Sequence, residues 1–216
     1  MSLISYNKDD RVMIFIDLRN VLGSVITDSS FARVDFAGLA RQLKGQRQLV
    51  AAYVFDGIGS FVNGVNKTQK FHDYLRYSGF RVVARDSYES ENRAQKEVDV
   101  AMACKMVVHA LNDHYDVAIV VSGDRDFVPA IQEVQNAGKR VEVASFHNSV
   151  SDEMVRMADA YYRLETMPIL TMTNPDAEPE APQEAGAEEG EGGGERCPTR
   201  RWISTSSWRR TPRSTG

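Results

Sequence analysis

Three short polar blocks hold the residues best suited to do chemistry together. They are Asp17-Leu18-Arg19-Asn20, Lys96-Glu97-Val98-Asp99 and Ser122-Gly123-Asp124-Arg125-Asp126. Asp17 and Asp124 each follow a run of apolar, β-prone residues, which places a carboxylate at the end of a buried strand. Two carboxylates about 5 Å apart repel by roughly 3 kcal/mol at an effective dielectric of about 20. Three or four of them would strain a domain whose whole stability is about 5–15 kcal/mol. Either some are protonated or a divalent cation binds them. Hard oxygen donors with no His or Cys beside them favour Mg²⁺ or Mn²⁺ over zinc. A carboxylate-held ion with open coordination positions suits phosphodiester cleavage. Arg125, set between two acids, is a candidate phosphate contact.

The elements around these blocks explain how they could meet. Arg11–Ile16 reads as a first strand and Leu49–Phe55 as a second. Phe80–Ala84, Val117–Val121 and Arg140–Phe146 read as the third, fourth and fifth, and Ala160–Leu164 as a short sixth. Helical patterns fall at Asp35–Lys44, Lys67–Ser78, Lys96–Asn112, Phe127–Ala137 and Ser149–Ala158. Gly45, Gly79 and Gly138 stop three of them. Leu18–Ile26 is helix-like or irregular, and Gly57–Asn66 and Arg85–Gln95 read as loops, the former mobile. Strands alternating with helices imply βαβ units, an α/β fold of three layers and a mainly parallel sheet of five to six strands. In the order 3-2-1-4-5, strands one and four flank the point where the crevice opens, so Asp17 and Asp124 become neighbours. Asp99, read in the first turn of its helix, joins them if that helix begins at the same edge.

Composition narrows the class. With 42% hydrophobic residues the chain can bury one good core, and its net charge of −4 leaves any nucleic-acid binding to a local patch. Cys104 and Cys197 make neither a disulfide framework nor a zinc spacing, which fits a reducing, cytoplasmic setting. Residues 1–10 are polar and have no signal-peptide core, and no run is long enough to span a membrane. From about residue 173 the character changes. Residues 175–195 hold eight acids and no base, and residues 196–216 hold six arginines and no acid, so 173–216 reads as a disordered tail behind a domain at 11–172. The exposed fifth strand and its following helix offer a surface on which a second copy could pair.

The three blocks, in order and with Gly138-Lys139-Arg140-Val141 after them, resemble the signature blocks of the NYN family, a branch of the PIN-like nucleases, and most of all its LabA-like members. The resemblance covers roughly residues 11–165. It implies a PIN-like Rossmannoid fold and a metal-dependent ribonuclease site acting on RNA, most simply single-stranded. Residue by residue, it makes Asp17, Asp99, Asp124 and Asp126 the acidic cluster and Asn20 and Ser122 polar helpers. Lys96 would be a phosphate or carboxylate partner, and Arg19 is a further candidate contact to nucleic acid. Family members often carry a further acid late in the long helix, where this chain has Cys104-Lys105.

Each residue also has a plainer reading. Asp124 could be a helix cap, and Asp99 and Asp126 first-turn partners of a helix dipole. Asp56 ends the second strand as a turn former or edges the crevice. Lys67, Lys70 and Arg76 share a helix with the packing face of Phe71, Tyr74 and Leu75, so their charges read as a solvated side. His72, His109, His114 and His147 read as surface or packing residues, with only His147 near a strand end by the site. Cys104 reads as a core filler. A non-catalytic RNA-binding protein on the same fold is the alternative function. A phosphohydrolase of the haloacid-dehalogenase type would want Asp-x-Asp after the first strand, where this chain has Asp17-Leu18-Arg19. No glycine-rich nucleotide loop follows that strand.

Overall fold

A computed structural model describes residues 7–27, 33–58, 65–86 and 91–171. The chain divides into two units, Met1–Ala177 and Glu178–Gly216, and the second, with the acidic and basic tail segments, lies outside the described residues. So does most of the glycine-containing loop, at 59–64. The first unit runs β1 (Arg11–Asp17), α1 (Leu18–Thr27), β2 (Arg33–Val34), α2 (Phe36–Lys44), β3 (Gln48–Ile58) and α3 (Val65–Tyr77). It continues through β4 (Arg81–Asp86), α4 (Glu91–Leu111), β5 (Val117–Val121) and α5 (Val128–Asn136). It ends with β6 (Arg140–Ser145), α6 (Asp152–Met157), β7 (Ala160–Arg163) and β8 (Leu170–Thr171).

Six strands form one parallel sheet in the order β4-β3-β1-β5-β6-β7, and β2 and β8 form a small antiparallel ribbon. Setting the ribbon aside, this is the expected order, extended by the short sixth strand. β1 and β5 are buried almost throughout because both sheet faces are covered. On one face Val12, Ile14 and Ile16 pack with α1, α2 and Leu75 of α3; on the other, Met13, Phe15 and Val120 pack with α4, α5 and Met154 of α6. The chain builds outward from β1 in one direction, then returns to β5 and builds in the other. The switch point therefore falls between β1 and β5, as ligand sites in open α/β sheets require.

Two ion pairs, one partly exposed and one buried, tie this frame together. Arg11 forks onto Asp116 at 2.8 and 3.0 Å, joining the starts of β1 and β5. Arg47, just before β3, makes a bidentate pair with Glu142 of β6 at 2.6 and 2.9 Å and donates to Leu43 O, with both side chains almost fully buried. Three expectations need correction. β3 runs to Ile58, beyond the expected end at Phe55, because its last residues pair with β4. α4 begins at Glu91, not Lys96, since the polar stretch before it consists largely of good helix formers. β6 is not an exposed edge, because β7 pairs along its outer side.

Candidate active site

Asp17 is the last residue of β1 and the cap of α1. Its Oδ1 accepts from the Asn20 N–H at 3.1 Å, and the Arg19 N–H also bonds to it. The run Val12–Ile16 carries this carboxylate into the protein, where it is only 4% exposed. Across the switch point, Ser122 continues the inward register of Ala118 and Val120 and is fully buried. Its hydroxyl donates to Asp17 Oδ2 at 3.1 Å and accepts from the Asp124 N–H at 3.2 Å. Asn20 closes a second link, its side-chain oxygen accepting from the Gly123 N–H at 3.0 Å. Two acidic turns, more than one hundred residues apart in sequence, are thus stitched together by two small polar side chains.

Asp124 does act as a cap, taking the Asp126 N–H on Oδ1 at 3.0 Å over the turn Arg125–Phe127. That role orients the carboxylate without removing it from the site. Asp99 is not in the first turn of its helix, which starts eight residues earlier, so a helix-dipole explanation fails there. It is half-buried on the sheet side beside Val98, and Gln95 Nε2 donates to it at 2.8 Å. Burial pushes its pKa up to about 6, and Asp17, Asp124 and Asp126 push in the same direction. Burial also raises Asp17, against its hydrogen bonds, and Asp124 raises it further. The four carboxylates therefore feel one another. Asp126 and Arg125 are exposed, Arg19 is half-buried, and Lys96 is exposed on α4 beside Arg85.

The donor set fits a hard divalent cation in its chemistry: carboxylate oxygens, no nitrogen or sulfur. A second observation agrees. Gln95 Oε1 is buried with no hydrogen-bond partner among the described residues, one helical turn from Asp99, and a buried carbonyl oxygen without a partner is costly unless something positive meets it. Among the described residues, no three His, Cys, Asp or Glu side chains already converge on one point.

The NYN domain profile matches residues 11–165. The chain belongs to the NYN domain family. NYN domains are PIN-like nucleases as a class, and PIN-like nucleases typically use divalent metals. No curated protein matches the chain. Among solved structures it is similar to a protein of unknown function, VPA0982 from Vibrio parahaemolyticus RIMD 2210633, at 22% identity and a TM-score of 0.62. That match covers 78% of this chain and all of the other, and it bears on the fold alone. No helix among the described residues is long and apolar enough to cross a membrane.

Some residues near the NYN site were not legible in the sequence. In the sequence Gly123 reads as the residue that breaks the fourth strand. A Cβ there would meet Ser149 O at 2.1 Å and Val150 Cα at 2.7 Å, so the turn bearing Asp124 lies hard against the loop after β6. The Ser151 N–H donates back to Gly123 O at 3.0 Å. Asp56 does not edge the crevice. It follows the register of Ala52 and Val54, on the sheet face opposite Asp17, and pairs with the buried His72 at 2.7 Å. His72 is therefore a buried partner, not a surface residue. His147 lines a separate cavity with Ser24, Arg163 and Glu165. Cys104 is exposed rather than a core filler. Lys105 lies over the Tyr53 ring at 5.2 Å.

Proposed function

We propose that this NYN domain is a divalent-metal-dependent ribonuclease that hydrolyses phosphodiester bonds of RNA at the carboxyl edge of its sheet. The observation that carries the reading is the buried Asp17–Ser122–Asp124 linkage, with Asp99 of α4 raised by both acids. Asp17, Asp99, Asp124 and Asp126 would hold Mg²⁺ or Mn²⁺, and the partnerless Gln95 oxygen is suited to a place in the same shell. When bound, such an ion supplies an activated water and charge neutralisation at the phosphate. Ser122 and Asn20 keep the two acidic turns in register. Arg125, Lys96 and Arg19 are the candidate phosphate contacts.

The purified chain should degrade single-stranded RNA with Mn²⁺ or Mg²⁺ and stop when the metal is chelated. Asp124→Asn should abolish turnover while the protein stays folded; cleavage at the wild-type rate would sink the reading. One observation favours a second reading, an RNA-binding protein without turnover: among the described residues, no three candidate ligands converge. That protein would retard RNA without cutting it, and the acid-to-amide change would leave its affinity intact.

A further inference from the structure

The open edge of the sheet carries a second charged feature, separate from the carboxylates. Arg81 and Arg85 lie four residues apart on the edge strand β4, so both project toward α4. Lys96 and Lys105 lie nine residues apart on α4. The two separations match, about 13 Å along a strand and about 13 Å along a helix. The cations consequently form facing pairs. Arg85 and Lys96 line one groove of about 480 Å³ with Val100 and Ala101, and Glu97 at its mouth. Arg81 and Lys105 both sit over the Tyr53 ring, at 5.4 and 5.2 Å.

Beyond the second pair, His109 Nε2 meets the Tyr53 hydroxyl at 3.1 Å and its Nδ1 meets His114 Nδ1 at 2.8 Å. Arg81 also donates to that hydroxyl at 2.9 Å. None of Arg81, Arg85, Lys96 and Lys105 has a carboxylate partner among the described residues. Four cations against Glu97, the carboxylate that lines the groove with Arg85 and Lys96, leave an excess of positive charge that calls for an anion. The field is felt locally: burial first, then His114, Lys105 and Arg81, lower the His109 pKa. Lys96 precedes Asp99 by three residues on α4, about one helical turn, which sets the first pair near the candidate carboxylates.

We propose that the groove between β4 and α4 is the path by which single-stranded nucleic acid leaves the carboxylate crevice, its phosphates held by Arg85 and Lys96 and then by Arg81 and Lys105. This rests on the nucleic-acid reading above and deepens it. A flexible polyanion fits better than a small anion because the charges are spread along a line. Single-stranded backbone also fits a groove bordered by apolar Val100, which is 63% exposed and carries no base-reading group.

The test is binding of a labelled single-stranded RNA to the full chain in chelator, so that cleavage plays no part. Arg81→Gln with Lys105→Gln should weaken binding about tenfold, and removing two phosphate contacts should reduce the slope of log K against log salt by about 1.4. Arg85→Gln with Lys96→Gln, at exposed positions, should do the same and carries the test if the first variant melts early. Lys105→Arg should bind as the wild type does. Unchanged affinity and slope in both folded double variants overturn the proposal and assign RNA binding elsewhere, including the arginines of 196–216. Displacement of the RNA by polyglutamate at equal charge also overturns it, making the groove a seat for acidic polypeptide such as residues 175–195. The two readings can fail separately. RNA held through the groove but cut with no metal removes the nuclease alone, whereas cutting with binding indifferent to these variants removes the groove alone.

Discussion

Asp99→Asn should stabilise the cation-free protein near neutral pH. Its carboxyl rises from the ordinary 3.8 to about 6, chiefly through burial and then through Asp17. A rise of about two pKa units corresponds to roughly 3 kcal/mol. Asp99 is half open to solvent, so screening reduces this to about 1 kcal/mol. The folded state holds the proton to higher pH than the unfolded chain does. Between about pH 4 and 6 it therefore binds more protons, and stability falls as pH rises through that window. Near neutral pH the wild type bears the full penalty; asparagine, which never ionises and still accepts from Gln95, avoids it. For a domain of this size about 1 kcal/mol is about 2–4 °C in Tm. Thermal melts by circular dichroism in chelator should show that gain near neutral pH and lose it at about pH 3, where the wild-type carboxyl is largely protonated in both states. Mn²⁺ should raise the wild-type melting temperature and move the variant less. A variant melting below the wild type near neutral pH, or an advantage that persists undiminished at about pH 3, refutes the electrostatic account.

Other perturbations probe different parts. Gly123→Ala should cost about 1–3 kcal/mol by overpacking against Ser149 and Val150, measured by urea denaturation. It should lower cleavage more than it lowers RNA affinity, since the displaced turn carries Asp124. Arg47→Ala should cost about 3–5 kcal/mol by leaving Glu142 buried and unpaired, whereas Arg47→Met with Glu142→Leu should be close to neutral; equal losses would show that the pair contributes net stability. Gln95→Leu should raise the Mn²⁺ concentration needed for half-maximal cleavage if its free oxygen meets the ion. An unchanged metal titration would return Gln95 to a purely structural role.

The parts legible in the sequence are those set by short-range pattern. Val12–Ile16 and Val117–Val121 announce buried parallel strands, and strand–helix alternation with one reversal fixes which strands adjoin. The Asp17–Asp124 pairing followed from that adjacency, and the structure links the two through Ser122, whose part came only from the family resemblance. Features that depend on distant packing were hidden. His72 sits within a polar stretch of α3, and its burial is set by Asp56, sixteen residues away. Glu142 alternates correctly for a strand, but nothing nearby signals Arg47 as its partner. The first turn of α4 was missed because polarity was read as loop, although its residues favour helix. Gly123 looked like a simple chain break because the atoms that exclude a side chain there come from a loop more than twenty residues later.

That contact at Gly123 also has an evolutionary side. Since the turn bearing Asp124 rests directly on Ser149 and Val150, its position is dictated by the loop that follows the neighbouring strand β6 as well as by its own bonds. A lineage that lengthened or reshaped the 146–151 segment would move Asp124 without altering any acid. Loss or retuning of activity among relatives could then arise while every carboxylate stays in place, and an inventory of acidic residues would miss it.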